Sequence, residues 1–205
     1  MCYQTRIIKE KEAIAQRFNA DISALESFSP IEQCIAFTFP ETPVIIDTAP
    51  NKVQLYHWGL IPKFSDVTAI RNYTLNARIE TLSEKKSFKD AVQNRCLIIA
   101  DGFYEWQWLT KRGSKKQKYL ITLPNEELFA FAGIYSQWEN GDGNILNTYT
   151  IITTQANELL SKIHNSKHRM PVVLKKEDEQ SWLQGENYED FKFPYSCNLI
   201  AKPLK

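Results

Sequence analysis

The feature that most restricts the fold is a succession of short hydrophobic segments cut by turn residues, centred on Cys96–Ala100, Asp101-Gly102 and Phe103–Trp108. Residues 96–100 are apolar throughout, as in a strand covered on both faces. Asp101-Gly102 is a turn pair and residues 103–108 alternate, so this stretch predicts a β-hairpin. Similar segments recur at 33–39, 43–46, 53–58, 119–123, 128–138, 146–153, 171–174 and 197–200, with Pro40, Pro43, Pro124-Asn125 and Gly141-Asp142-Gly143 as breaks. Helical spacing is confined to short stretches. These are 9–18, with Ala13, Ile14, Arg17 and Phe18 on one face, a turn opened by Ser87, a helix capped by Thr154 that carries Leu159, Leu160 and Ile163, and 175–183. Many strands with few helices, and no repeat or linker, predict a single α+β domain over 1–205 with a curved, largely antiparallel sheet.

Charge and cysteine usage narrow the function classes. The formal net charge is +1, so a nucleic-acid partner would be held by a local basic patch rather than by the whole chain. The basic stretch 111–118 reads as a solvated turn. Cys2, Cys34, Cys96 and Cys197 are widely spaced and form no C-x-x-C pair, which argues against a zinc ribbon or thioredoxin-like motif. The N-terminus lacks the apolar core of a signal peptide, and no apolar run approaches membrane-spanning length. The expectation is a cytoplasmic protein with free thiols and no membrane partner. His164 and His168 are four apart but lack a third ligand at convincing spacing, so neither a metal nor a cofactor is expected.

The chemistry suggested by the N-terminus is specific. If Met1 is removed, Cys2 carries an α-amine and a thiol on adjacent carbons. Such a 1,2-aminothiol condenses with an aldehyde to a Schiff base, and the thiol then closes a five-membered thiazolidine. No internal residue offers this pair. Three polar clusters lie downstream. Asn76-Ala77-Arg78-Ile79-Glu80 joins an orienting amide to an arginine suited to phosphate. Glu105 lies between aromatics in Phe103–Trp106, where burial would raise its pKa towards neutrality and suit it to general acid–base work. His164-Asn165-Ser166-Lys167-His168-Arg169-Met170-Pro171 is a loop entering a strand, since Pro171 biases Met170 away from helix. Trp58 and Trp106 are candidates for stacking on unpaired bases.

These stretches, with Trp58-Gly59-Leu60-Ile61-Pro62 and Ile151-Ile152-Thr153-Thr154, resemble in order the SRAP family of abasic-site processing proteins over nearly the whole chain. The resemblance implies a single SRAP-like domain with a barrel-like sheet and flanking helices. It also implies a sensor of abasic sites in single-stranded DNA that cross-links to the lesion through processed Cys2, acting as a monomer that joins the nucleoid when bound to DNA. Asn76, Glu105 and a histidine would be its catalytic partners, Arg78 and Arg169 its phosphate contacts, and Trp58, Trp106 and Pro40 its DNA border. The chain departs from the family's usual opening, since Gln4 stands where many members carry an arginine. It departs again where Lys167 replaces the usual histidine, leaving His168, which adjoins Arg169, as the favoured partner and His164 as the alternative. Two other classes fit the residues less fully: a cysteine-nucleophile hydrolase or autopeptidase, and a non-catalytic nucleic-acid-binding module.

Overall fold

The computed structural model describes residues 2–205; the expected removal of Met1 concerns a residue outside them. Along the chain the elements are β1 (Gln4–Ile7), α1 (Lys11–Phe18), β2 (Ile31–Ile35), β3 (Glu41–Ile46), β4 (Ala49–Trp58), β5 (Asn76–Arg78), β6 (Arg95–Ala100), β7 (Gly102–Trp108) and β8 (Lys116–Thr122). They continue as β9 (Phe129–Glu139), β10 (Ile145–Gln155), α2 (Glu158–Ile163), β11 (Arg169–Pro171), α3 (Glu179–Leu183) and β12 (Ile200–Pro203), with short 3-10 turns between.

The strands make two sheets. In the larger, β10, β4, β3, β6 and β9 follow one another, and β9 pairs back onto β10, so the ring closes into a barrel. Closure leaves these strands no open edge for another chain to pair with. The Asn140–Asn144 turn joins β9 to β10, with the Asn140 Oδ1 accepting from the amides of Asp142 (3.0 Å) and Asn144 (2.8 Å). Beyond its barrel contacts, β10 takes β5 in parallel (Ile151↔Asn76) and β11 in antiparallel pairing (Gln155↔Arg169). The second sheet is antiparallel, in the order β12-β8-β7-β1-β2. The outcome is the expected strand-rich α+β fold with a barrel-like sheet.

The apolar run in β6 has a direct structural reason. Cys96, Ile98 and Ala100 enter one buried cluster, with Cys2, Trp58, Phe103, Phe131 and Tyr149, which joins the second sheet to the barrel. Leu97 and Ile99 enter the other, with Ile14 of α1, Trp182 of α3 and Ile152. Both faces of β6 are therefore covered, and no position in it can be polar without a buried partner.

The predicted hairpin at 96–108 does not form. β6 lies between β3 and β9, whereas β7 lies between β1 and β8, so the chain crosses from barrel to second sheet at Asp101. Asp101 is fully buried, and its carboxylate accepts from Arg6 Nε (2.7 Å), Ile8 N (2.7 Å) and Lys9 N (3.1 Å). A buried aspartate with a charge partner and two backbone donors is a junction rather than a solvated turn. Gly102 allows it, because a Cβ there would lie 3.0 Å from Leu120 Cδ1 and 3.2 Å from Arg6 Nε.

Smaller differences are local. The segment 33–39 ends as a strand at Ile35 and turns through the 3-10 helix Ala36–Thr38. Asn157, not Thr154, caps α2 by accepting from Leu160 N at 2.9 Å; Thr154 is a buried strand residue that accepts from Phe193 N. The last strand is Ile200–Pro203 rather than 197–200. No helix among the described residues is long and apolar enough to cross a membrane.

Candidate active site at the N-terminus

Cys2 is fully buried just before β1. Its carbonyl accepts a 2.8 Å hydrogen bond from Asn76 Nδ2, and its thiol lies 3.8 Å from the Gln4 carbonyl. Asn76 can reach Cys2 because β5 is seated on β10 and because the residue before it is pinned: the Trp58 indole donates to Leu75 O at 2.7 Å. The Asn76 Oδ1 is buried with no hydrogen-bond partner among the described residues. An acceptor left buried and unpaired is costly.

β7 brings Glu105 alongside. The antiparallel register Thr5↔Phe103, continued by two residues, sets Glu105 across from Tyr3. Glu105 is 3 % exposed and its Oε1 has no hydrogen-bond partner among the described residues. Burial pushes its carboxyl up to about 7, so protonated and ionised forms both exist near neutral pH. Burial also pushes the Cys2 thiol well above its ordinary value, and the Glu105 charge adds to that rise. The resting thiol is therefore protonated, and it needs a base at the moment it attacks.

The histidine loop separates its two histidines. His164 ends α2, is buried, and has its Nδ1 2.6 Å from the Arg169 carbonyl. That short contact requires Nδ1 to carry the proton, which makes Nε2 the acceptor nitrogen. Burial lowers the His164 pKa to about 4, so the ring is neutral at pH 7. His168 is exposed at φ 51°, with Nδ1 2.8 Å from Ser161 Oγ, and it does not share the buried environment of Cys2, Asn76 and Glu105. The end of α2 is stapled to the Glu105 strand by Asn165, which donates to Trp108 O (2.9 Å) and accepts from Trp108 N (2.9 Å). Gln107 adds a bond to the Lys162 carbonyl at 3.1 Å.

The residues expected to meet DNA divide. Arg78 is exposed. Arg169 is not available in the same way. Its guanidinium makes a two-pronged ion pair with Glu80 (2.7 and 2.9 Å) and donates to Thr153 O at 2.7 Å. Trp106 is half-buried beneath the Lys118 ammonium, 5.4 Å from the ring centroid. Trp58 corrects the expectation of a base-stacking surface: it is 0 % exposed and stacks on Tyr149, so no face remains for a base. Pro40 is half-buried and accepts from Trp58 N.

Three residues carry structure here that sequence reasoning gave no role: Glu80, Asn165 and Arg71. The first two sit inside clusters already singled out, where side-chain pairing across 89 and 57 residues has no local signal. Arg71 lies over the Phe39 ring and donates to Trp58 O, against Gly59, whose φ of 102° is one that a residue with a Cβ rarely adopts. No group of three or more His, Cys, Asp or Glu side chains among the described residues could hold a metal ion.

Comparison with known proteins agrees with this architecture. The sequence profile described as SOS response associated peptidase (SRAP) matches residues 1–199. Abasic site processing protein YoqW of Bacillus subtilis is 40 % identical over 188 residues, covering 91 % of this chain and 82 % of that protein. Abasic site processing protein HMCES of Gallus gallus is 35 % identical over 162 residues, 67 % of this chain and 46 % of that protein. A crystal structure of a Bacteroides thetaiotaomicron protein superposes with a TM-score of 0.89 at 31 % identity, covering 100 % of this chain and 92 % of that one. A buried cysteine at position 2, held by an asparagine and flanked by a perturbed glutamate, thus sits in a fold shared with the Bacteroides protein, and the chain belongs to the SRAP family.

Proposed function

We propose that this protein processes abasic sites in single-stranded DNA by forming a thiazolidine cross-link through Cys2 once Met1 has been removed. The observation that carries the reading is the grouping at Cys2: an asparagine on its carbonyl, a carboxyl with a pKa of about 7 beside it, and a neutral histidine on the loop stapled to the same strand. The printed names of the relatives, abasic site processing proteins, point to the same lesion.

The chemistry follows from the groups. An α-amine has a reference pKa near 8 against about 10.4 for lysine, so roughly a tenth is neutral at pH 7. It adds to the open-chain sugar aldehyde to give a carbinolamine, and loss of water gives the imine. Glu105 in its protonated form supplies the proton that lets hydroxide leave as water. As carboxylate it then takes the thiol proton, sulfur bonds to the carbon of the protonated imine, and the nitrogen keeps its proton and loses its charge as the ring closes. One aldehyde and one aminothiol thus yield one thiazolidine and one water. During ring opening the unprotonated Nε2 of His164 takes the proton of the anomeric hydroxyl, and protonated Glu105 gives one to the ring oxygen. Asn76 orients the Cys2 backbone, and Arg78 meets a flanking phosphate.

A thiol peptidase is the weaker reading for a specific reason. Such enzymes use a thiolate at low pKa, whereas burial raises the Cys2 thiol here. The test is incubation with single-stranded DNA bearing one abasic site, followed by a denaturing gel. An adduct of slow mobility is expected with protein that begins at Cys2, and none with Cys2→Ala or with an uncleaved N-terminal tag. Binding with no adduct would favour a simple binding module, and peptide turnover with no adduct would favour a hydrolase. A stable adduct from fully tagged protein would sink the thiazolidine mechanism.

A further inference from the structure

Arg169 serves two structural roles at once. Its backbone carbonyl receives the His164 Nδ1–H at 2.6 Å, and its guanidinium is clamped by Glu80 through two bonds of 2.7 and 2.9 Å. The clamp spans the sheet. Glu80 lies in the 3-10 turn Ile79–Thr81 directly after β5, which carries Asn76, and Arg169 opens β11. Between them runs β10, whose Thr153 pairs with Arg78 on one side and with Pro171 on the other. Thr153 also supplies its carbonyl (2.7 Å) and its hydroxyl (3.2 Å) to the same guanidinium. One side-chain pair therefore ties the strand that holds Cys2 to the loop that holds His164.

We propose that Glu80 is a positioning residue of this site: by clamping the Arg169 guanidinium across Thr153 it fixes the Arg169 backbone, and through that carbonyl it sets the tautomer and orientation of His164. The inference rests on the cross-linking reading for its catalytic consequence, but not for its structural one.

The loop is held on its α2 side by the Asn165 bonds to Trp108, and the clamp acts at its other end, where β11 begins. β11 is three residues long and follows His168, which adopts φ 51°. The Arg169 side chain is 12 % exposed, and its Nε is buried without a partner. Glu80 is the carboxylate that compensates this cation. Without it the half-buried guanidinium keeps only a carbonyl and a hydroxyl of Thr153, and water, which already reaches the exposed Glu80, draws it outward. Its backbone moves with it, and the 2.6 Å contact that selects the Nδ1–H form of His164 is lost. The freed guanidinium at the same time becomes available to phosphate, so DNA affinity and chemistry are expected to move in opposite directions.

Glu80→Gln separates these effects. Nitrogen-15 NMR of the histidine ring in DNA-free protein should show a protonated, pyrrole-type Nδ1 and a pyridine-type Nε2 for His164 in the wild type. In the variant both shifts should move towards the tautomer average. The cross-linking rate should fall about tenfold, less than the roughly 10²–10⁴ that a positioned acid–base group supplies, because His164 is displaced and not removed. Affinity for intact single-stranded DNA should be unchanged or tighter. Unaltered nitrogen shifts with a wild-type rate would overturn the proposal, as would a parallel loss of DNA affinity and cross-linking. Should the glutamine variant fail to fold, Glu80→Asp keeps the charge on a shorter arm. Intermediate shifts support the clamp in that variant, and unaltered shifts overturn it. Because the nitrogens are read without DNA, a wild-type protein that forms no adduct would defeat the functional reading while leaving the clamp tested.

Discussion

Glu105 and His164 are both buried, and burial moves their pKa values in opposite directions, to about 7 and about 4. The consequences for stability have opposite signs. Glu105 is raised from 4.5, so the native state holds its proton more tightly than the unfolded chain does. Stability from this group is full below pH 4.5 and falls as pH rises through about 7, by about 3 kcal/mol for such a shift. His164 is lowered from 6.5, so the unfolded chain takes up its proton first. Stability from this group is full above pH 6.5 and is lost as pH falls through about 4, by a similar amount of about 3 kcal/mol. Between pH 4.5 and 6.5 the two slopes offset. Urea unfolding at intervals from pH 4 to 8 checks this. Glu105→Gln should leave a stability that rises with pH up to about 6.5, and His164→Gln one that falls with pH up to about 7. Two flat curves would show that neither group is buried as described. The types of both residues were legible in the sequence, because a carboxyl among aromatics and a histidine before a Met-Pro strand entry are local patterns. Which histidine is buried was not, because adjacency to Arg169 along the chain places His168 on the exposed side of the loop.

At the scale of elements, the junction at Asp101 bears most on the site, because it sets where β7, and so Glu105, leaves the barrel. Arg6 and Asp101 are both buried, with side-chain exposures of 5 % and 0 %, and the outer edge of the guanidinium is covered by Glu126 at 2.7 Å. Asp101→Ala leaves a buried arginine with one half-exposed partner and two backbone amides without an acceptor. A loss of about 3–5 kcal/mol in unfolding free energy is expected, measured by denaturant titration at pH 7. A loss below about 1 kcal/mol would mean that the pair is effectively solvated. The strand segments themselves were legible from alternation and turn residues, and most boundaries fall within a few positions of expectation. Pairing partners were not. Asp101-Gly102 has the composition of a hairpin turn, and only the buried Arg6, 95 residues away, shows that it is a crossing between sheets. Asn165, on the far side of the site, illustrates the same limit. Its reciprocal bonds to Trp108 position α2 on β7, yet in the sequence it is one polar loop residue among several.

At the scale of the whole molecule, closure of the barrel makes β6 and β9 the most enclosed strands. Their amides are expected to exchange with solvent most slowly, and those of the edge strands β2 and β12 faster, in native-state hydrogen exchange. The net charge of +1 bears on DNA binding. With Arg169 taken by Glu80, few cations remain at the site. Binding of single-stranded DNA should weaken with salt at a log–log slope of about −2, as expected for about three phosphates. A slope steeper than about −4 would bring the basic stretch 111–118 into contact with the strand. Near neighbours along the chain suffice for the strand-rich fold class, for a cysteine at position 2 that would carry a 1,2-aminothiol once Met1 is removed, and for the residue types proposed to serve it. The folded chain adds which strands pair, that Trp58 belongs to the core, that Arg169 faces Glu80, and that His164 rather than His168 is enclosed. These depend on burial and on charge pairing between residues far apart in the chain. Both are properties of three-dimensional proximity, and a one-dimensional pattern does not record them.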